Sequence, residues 1–291
     1  MAGYFTNDSM LRRVIGERVV GLSGPRALLM MAAHPVAFAG FFAHTGSLDQ
    51  PYERLRRTGE ILDLIAWKDE RGPADRATAR VRAIHRRIRG RTSEAAGRFA
   101  AGTPYRADDP ELLLWILACM ADSAAVVYER YVRRLSEPER DALWADYRVV
   151  GRLFGLAEDC MPGTWVAFAA YMRAMLASGD LVVTDPAREL AHRIVMRPPA
   201  PMAARPLVDL VNQVTIALLP ASLRGQYQLG WDPVRGLLVA GGAQYSRRLL
   251  PFVPARLRLI SQARTAVELG AASDERRDRP REFLPVPSRP A

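Results

Sequence analysis

The stretch DPELLLWILACMADSAAVVYERYVRRL, residues 109–135, decides the fold class. Asp109 carries a short carboxylate that accepts the free N–H groups at a helix start, and Pro110 fits the first helical position, where no N–H is needed. From Glu111 onward the run contains neither glycine nor proline. It predicts one long helix, apolar enough to be built into a core.

Outward from this helix the same grammar recurs. Ser136-Glu137-Pro138-Glu139 opens a helix to about Phe154, and Met161-Pro162-Gly163-Thr164 leads into another ending near Ser178. Asp185-Pro186 opens a short one, residues 206–219 and 232–248 follow, and 254–269 closes the fold. Toward the N-terminus, residues 51–67 carry an apolar stripe of Leu55, Leu62 and Ile65, with Thr58 on the same face. Residues 74–89 repeat the pattern and stop at Gly90, a favoured residue just past a helix end. ALLMMAAHPVAFAGFFA, residues 27–43, sits near the lower length limit for a membrane span, with a break expected at His34-Pro35. It reads as a buried helix, with contact at a membrane surface as the alternative. No run of alternating strands and no fixed-period repeat occurs. The expectation is an all-α fold: a single large helical domain over residues 1–271, with the proline-rich 197–205 as a loop inside it. Residues 272–291 read as a disordered tail rich in proline and arginine.

The 291 residues are 49% hydrophobic, enough for a sizeable core, and the formal net charge is +10. Lys68 is the only lysine, so the positive charge is nearly all arginine, a bias that GC-rich codon usage produces. No dense basic run alternates with aromatics as single-strand binding requires, so nucleic acid is not the expected partner. Peripheral contact with a membrane stays open. Cys119 and Cys160 are too few for a disulfide framework and read as small buried hydrophobes. With no secretory signal at the start of the sequence, the expected location is cytoplasmic.

Three groups could carry chemistry. In RVRAIHRRIRG (80–90), Val81, Ile84, His85 and Ile88 fall at i, i+3, i+4 and i+7, with five arginines around them. His85 is either a core histidine bonded to a carbonyl or carboxylate, or an axial iron ligand with guanidinium groups such as Arg86 placed to pair with haem propionates. In RLRRT (54–58), Arg54 and Thr58 lie one helical turn apart, as a structural ion pair or as donors to an anion, a bound oxygen species or a propionate. In AAHPVAFAGFFAHT (32–45), His34 and His44 either face a pocket or satisfy backbone groups that the proline frees. His192 reads as structural. A glycine-rich phosphate loop, a GxSxG elbow and an HExxH metal motif are all missing from the sequence.

In this order HPVAFAGFFAHT, RLRRT, HRRIRG, TPYRADDPELLLWIL (103–117), YRVVGRLFGL (147–156) and MPGTWVAFAAYM (161–172) resemble one family. It unites uncharacterised bacterial proteins with the latex-clearing rubber oxygenases and the fungal membrane-bound oxygenase of mycophenolic acid biosynthesis. The likeness spans roughly residues 20–200. It implies a globin-like helical core holding haem b, His85 as the proximal iron ligand, and Arg54 and Thr58 as the pair near the haem. Arg57, Arg86 and His34 would complete the cofactor surroundings. The implied reaction uses dioxygen on a hydrophobic small molecule, with oxidative cleavage of an isoprenoid C=C bond as its sharpest form. Two positions depart from the rubber oxygenases. Arg57 stands where they have a lysine that can ligate iron, and a guanidinium has no lone pair to give. No glutamate occurs between Glu17 and Glu53 to serve as their base, which leaves Asp49, His34 or His44. Two rival expectations are a basic helical adaptor without enzymatic activity, docking on membrane or nucleic acid, and a family member that has lost its haem.

Overall fold

Capping side chains set most helix starts in this protein. Its computed structural model describes residues 2–43 and 51–268, except the side chains of 41–43, 51, 52, 54 and 55. In chain order the first helices are α1 (Met10–Ile15), α2 (Ser23–Ala32), α3 (Pro35–Ala43), α4 (Pro51–Trp67) and α5 (Arg71–His85). The strands β1 (Arg89–Arg91) and β2 (Pro104–Arg106) follow, paired antiparallel with Gly90 opposite Tyr105. Then come α6 (Pro110–Tyr131), α7 (Glu137–Leu153), α8 (Trp165–Ala177), α9 (Asp185–Leu190), α10 (Arg205–Leu218), α11 (Ala221–Gln226), α12 (Pro233–Leu249) and α13 (Ala255–Arg258). The protein is all-α, with one small ribbon of strands among the described residues.

Asp109 accepts from the Glu111 and Leu112 N–H groups at the start of α6. Ser136 and Glu139 form a reciprocal capping box on α7, and Thr164 caps α8. The short α9 is capped one residue earlier than expected, by Thr184. It continues as a π-helical turn, Ala191–Met196, in which His192 is exposed.

α6 runs through the centre of the core, with Trp115, Cys119 and Tyr128 buried along it and α2, α7 and α12 packed around it. Among the described residues it is the one helix long and apolar enough to cross a membrane, and most of it is buried inside the fold. A buried charge ties the layers together. The Arg26 guanidinium donates to Ser123 Oγ (2.6 Å) and the Leu218 carbonyl (2.8 Å) and pairs with Asp122 at 2.8 Å. Pairing on three sides offsets the several kcal/mol that an isolated buried charge costs.

The break expected at His34-Pro35 is present: residues 27–43 lie in two helices, interrupted at Ala33–His34, and their described side chains are largely buried. Four expectations need correction. α5 ends at His85, so Ile88 leaves the stripe and Gly90 lies in a strand. Thr58 is exposed, and among the described side chains of α4 it is Ile61, Leu62, Leu64, Ile65, Ala66 and Trp67 that meet the core. Cys160 is exposed on a short 3-10 turn, while Cys119 is buried. The closing segment 254–269 is split after Arg258, where Leu259 bridges Glu17 and Ile260 donates to the Gly16 carbonyl, before helix 261–268. The helices beyond the 197–205 bend pack back on α2 and α6. Residues 272–291 lie outside the described residues.

Candidate functional site

α4 and α5 make a helical hairpin joined by residues 68–70, so they run as antiparallel neighbours. The closed end is pinned from several sides. Ala2 bridges Glu70, Arg12 Nε donates to the Ala66 carbonyl at 2.5 Å, and the Arg12 guanidinium lies 5.4 Å from the Trp67 ring centre. Tyr4 donates its hydroxyl to Asp75, and Ile65 and Ala66 are fully packed.

The other end is open. Arg56, Arg57, Thr58, Gly59 and Glu60 are all exposed, which leaves α4 uncovered around more than a full turn. On α5, Ile84 keeps 49% of its surface in solvent. At 1.5 Å per residue, Arg54 lies about 20 Å from the closed end along α4 and His85 about 21 Å along α5. The RLRRT turn and His85 thus both lie toward the ends of their helices remote from the link. The rims are charged: Arg57 pairs with Glu53 at 2.5 Å, Arg56 pairs with Glu60, and Arg86 is exposed just beyond His85.

His85 closes α5. Arg86 N–H bonds the Arg82 carbonyl (3.0 Å) and Ile88 N–H bonds the His85 carbonyl (3.1 Å), which turns the chain into β1. His85 Nδ1 is buried, while the residue as a whole keeps partial exposure. Arg82, one turn earlier, donates to the Leu153 carbonyl and fixes α5 to the end of α7.

The strand ribbon frames the site from the far side of the turn. Tyr105 is buried between two glycines. A Cβ at Gly90 would stand 2.5 Å from Tyr105 Cζ, and one at Gly40 of α3 would stand 3.4 Å from its Cδ2. Only glycine admits the ring at Gly90, and burial pushes the phenol above its ordinary pKa. Tyr105 was not among the expected site residues. Its signal was the aromatic in TPYR, which needs a glycine opposite it, but that pairing is visible only once the strands are matched.

His34 sits at the break before α3. Its Nδ1 accepts from the Ala37 N–H (3.3 Å), satisfying one donor that Pro35 leaves open at the helix start. Its ring lies 5.4 Å from that of Phe99. Burial lowers its pKa, while the charge of Asp180 pulls it back up. Asp180 in turn is held by Arg98, with 2.9 Å between Nη2 and Oδ2. These neighbours belong to the 98–99 and 180 segments rather than to α4 or α5. His44 and Asp49 lie outside the described residues, as does the side chain of Arg54.

A cleft of about 540 Å³ lies between α5 and α7, lined by Arg71, Asp75, Arg82 and Arg152 among others, and His85 is not part of its wall. Among the described residues no three His, Cys, Asp or Glu side chains converge as a metal site.

Comparison with known proteins bears on this geometry. The family model described as ER-bound oxygenase mpaB/B′ and rubber oxygenase, catalytic domain, matches residues 12–251. An uncharacterized protein of Mycobacterium tuberculosis is 28% identical over 185 residues, which is 62% of this chain and 68% of that protein. An uncharacterized protein of Mycobacterium bovis matches to the same extent. No solved structure matches.

Proposed function

The chain belongs to the family of the ER-bound mpaB-type and rubber oxygenase catalytic domains, and from that membership we propose that it is a haem b-dependent oxygenase acting on a hydrophobic small molecule. The carrying observation is that α5 ends in a half-buried imidazole next to an exposed isoleucine, while α4, its partner in the hairpin, leaves residues 56–60 exposed.

The donor set fits the group. A single imidazole, with no cluster of three ligating side chains among the described residues, suits an iron whose equatorial ligands arrive with a macrocycle. Ile84 offers apolar contact to a flat ring, and exposed guanidinium groups at Arg57 and Arg86 offer partners for its carboxylates. When bound, haem would supply the dioxygen chemistry, of which cleavage of an isoprenoid double bond is the sharpest form.

This chain's residues would set the surroundings. His85 would present a neutral ring nitrogen, its Nδ1 edge lying buried in the protein. Arg54 and Thr58 would supply hydrogen-bond donors to an anionic or oxygen-bearing group bound with the cofactor. Arg57 would leave Glu53 to meet a propionate, a small cost because that i,i+4 pair is exposed. Proton transfer would fall to His44 or Asp49 on the segment before α4, or to His34.

The test is a hemin titration of the purified full chain. We expect one hemin per chain with the Soret band of a histidine-ligated haem, and loss of that band in His85→Ala with the far-ultraviolet dichroism unchanged. Full hemin binding by the folded His85→Ala protein, or none by the folded wild type, would overturn the assignment.

A further inference from the structure

The large apolar side chains left exposed are concentrated in one part of the chain. Among the described residues outside 202–267 they are Ile84 and Val166. Within that segment Leu207, Leu210, Leu237, Leu238, Tyr245 and Phe252 all face solvent, with Leu237 and Leu238 at 74% and 70% and Phe252 at 83%. A folded domain rarely leaves this much apolar surface without a use for it.

The exposure is patterned. α12 packs inward through Ala243, which is buried with Val127, Tyr131 and Val214, and Ser246 Oγ donates to the Tyr131 carbonyl at 3.2 Å. At 100° per residue Leu238, Tyr245 and Leu249 fall on the side opposite Ala243. The helix is about 25 Å long and carries this stripe from its first turn to its last. α10 packs alongside, with Val214 near Ala243 and Leu218 near the start of α12, and its first turns leave Leu207 and Leu210 exposed.

Charge picks the occupant. Between residues 197 and 258 the acids are Asp209 and Asp232, against eight arginines. Asp232 is already paired with Arg235 at 3.0 Å and caps α12. Arg205, Arg248 and Arg256 on the same segment are exposed. A second copy docked about a twofold axis would set these arginines against one another. An anionic lipid surface instead meets both features: leucines enter the headgroup boundary while guanidinium groups meet phosphates.

We propose that the exposed apolar face of α12, with the exposed leucines at the start of α10 and the turn through Phe252, docks this protein on anionic membranes as a peripheral surface. The contact lies on α10–α12 and not on residues 27–40, whose side chains are largely packed within the fold. It does not depend on the haem assignment, because lipid binding is read without cofactor or turnover.

The test is sedimentation of the full chain with phosphatidylcholine vesicles, with and without phosphatidylglycerol. The protein should pellet with the anionic vesicles, less with the neutral ones, and less again as salt rises. Leu237→Gln with Leu238→Gln keeps the charge and should weaken vesicle binding about tenfold or more, with an unchanged melting curve. The proposal is overturned by failure to pellet, or by a double variant that binds as tightly as the parent, which would mean attraction by charge alone. It is also overturned by a wild-type dimer that the double variant dissolves, which would assign the face to a second copy.

Discussion

His34 shows how one side chain can be satisfied structurally and still leave a mark on the whole protein. Its ring is buried against Phe99 and its Nδ1 is engaged with the Ala37 N–H, so a proton is unwelcome. Burial holds its pKa below the ordinary value of 6.5 despite the pull of Asp180. The unfolded chain therefore binds more protons than the folded one from about pH 6.5 down to that lower value. Stability should fall as pH drops through this window. Urea melts over the same range should show that slope, and His34→Gln should flatten it. The sequence carried part of this, since Pro35 announced the freed backbone donors; the ring's neighbours, 65 and 146 residues away, it could not show. His85 was legible as a residue of interest by its spacing and by resemblance. Its position at the very end of α5 was not, because Arg86, Arg87 and Ile88 have nothing in their own chemistry that forbids another helical turn.

Among the elements, local chemistry predicted starts far better than ends. Asp109, Ser136 with Glu139, and Thr164 act on neighbours two or three residues away, so sequence reveals them. α5 stops where β1 finds β2, a partner fifteen residues on, and that choice is made by the buried Tyr105 against Gly90. The split of the last helical segment is likewise settled by Glu17 and Gly16, more than 240 residues earlier. Gly151 illustrates how packing overrules propensity inside an element. Alanine at a helix interior is favoured over glycine by about 1 kcal/mol. At Gly151 of α7, however, a Cβ would stand 2.7 Å from Met161 Sδ and 2.8 Å from Leu117 Cδ2. Overpacking costs about 1–3 kcal/mol, so Gly151→Ala should lower the melting temperature by about 2–4 °C rather than raise it. A higher melting temperature would show that Met161 swings aside freely.

At the scale of the whole molecule, the hairpin is anchored at one end and bare at the other. A ligand held between the bare tips would bind the folded chain and not the unfolded one. Saturating hemin should therefore raise the melting temperature of the wild type. The rise should be missing in His85→Ala, and scanning calorimetry at matched hemin would read both. The all-helical class and most of the helix order were open to inspection in the amino-acid pattern. The uncovered apolar face of α10 and α12 was not, because a leucine that lines a core and a leucine that meets a bilayer look alike until the neighbours are known.

The chain's single lysine happens to fall in the short link between α4 and α5, exposed to solvent. Apart from the α-amino group, it gives the protein one primary amine, placed at the pivot of the pair. A fluorophore attached through amine chemistry would sit about 20 Å from the bare tips, near enough for a bound porphyrin to quench it. The molecule thus carries its own attachment point for an optical gauge of cofactor loading, with no residue altered.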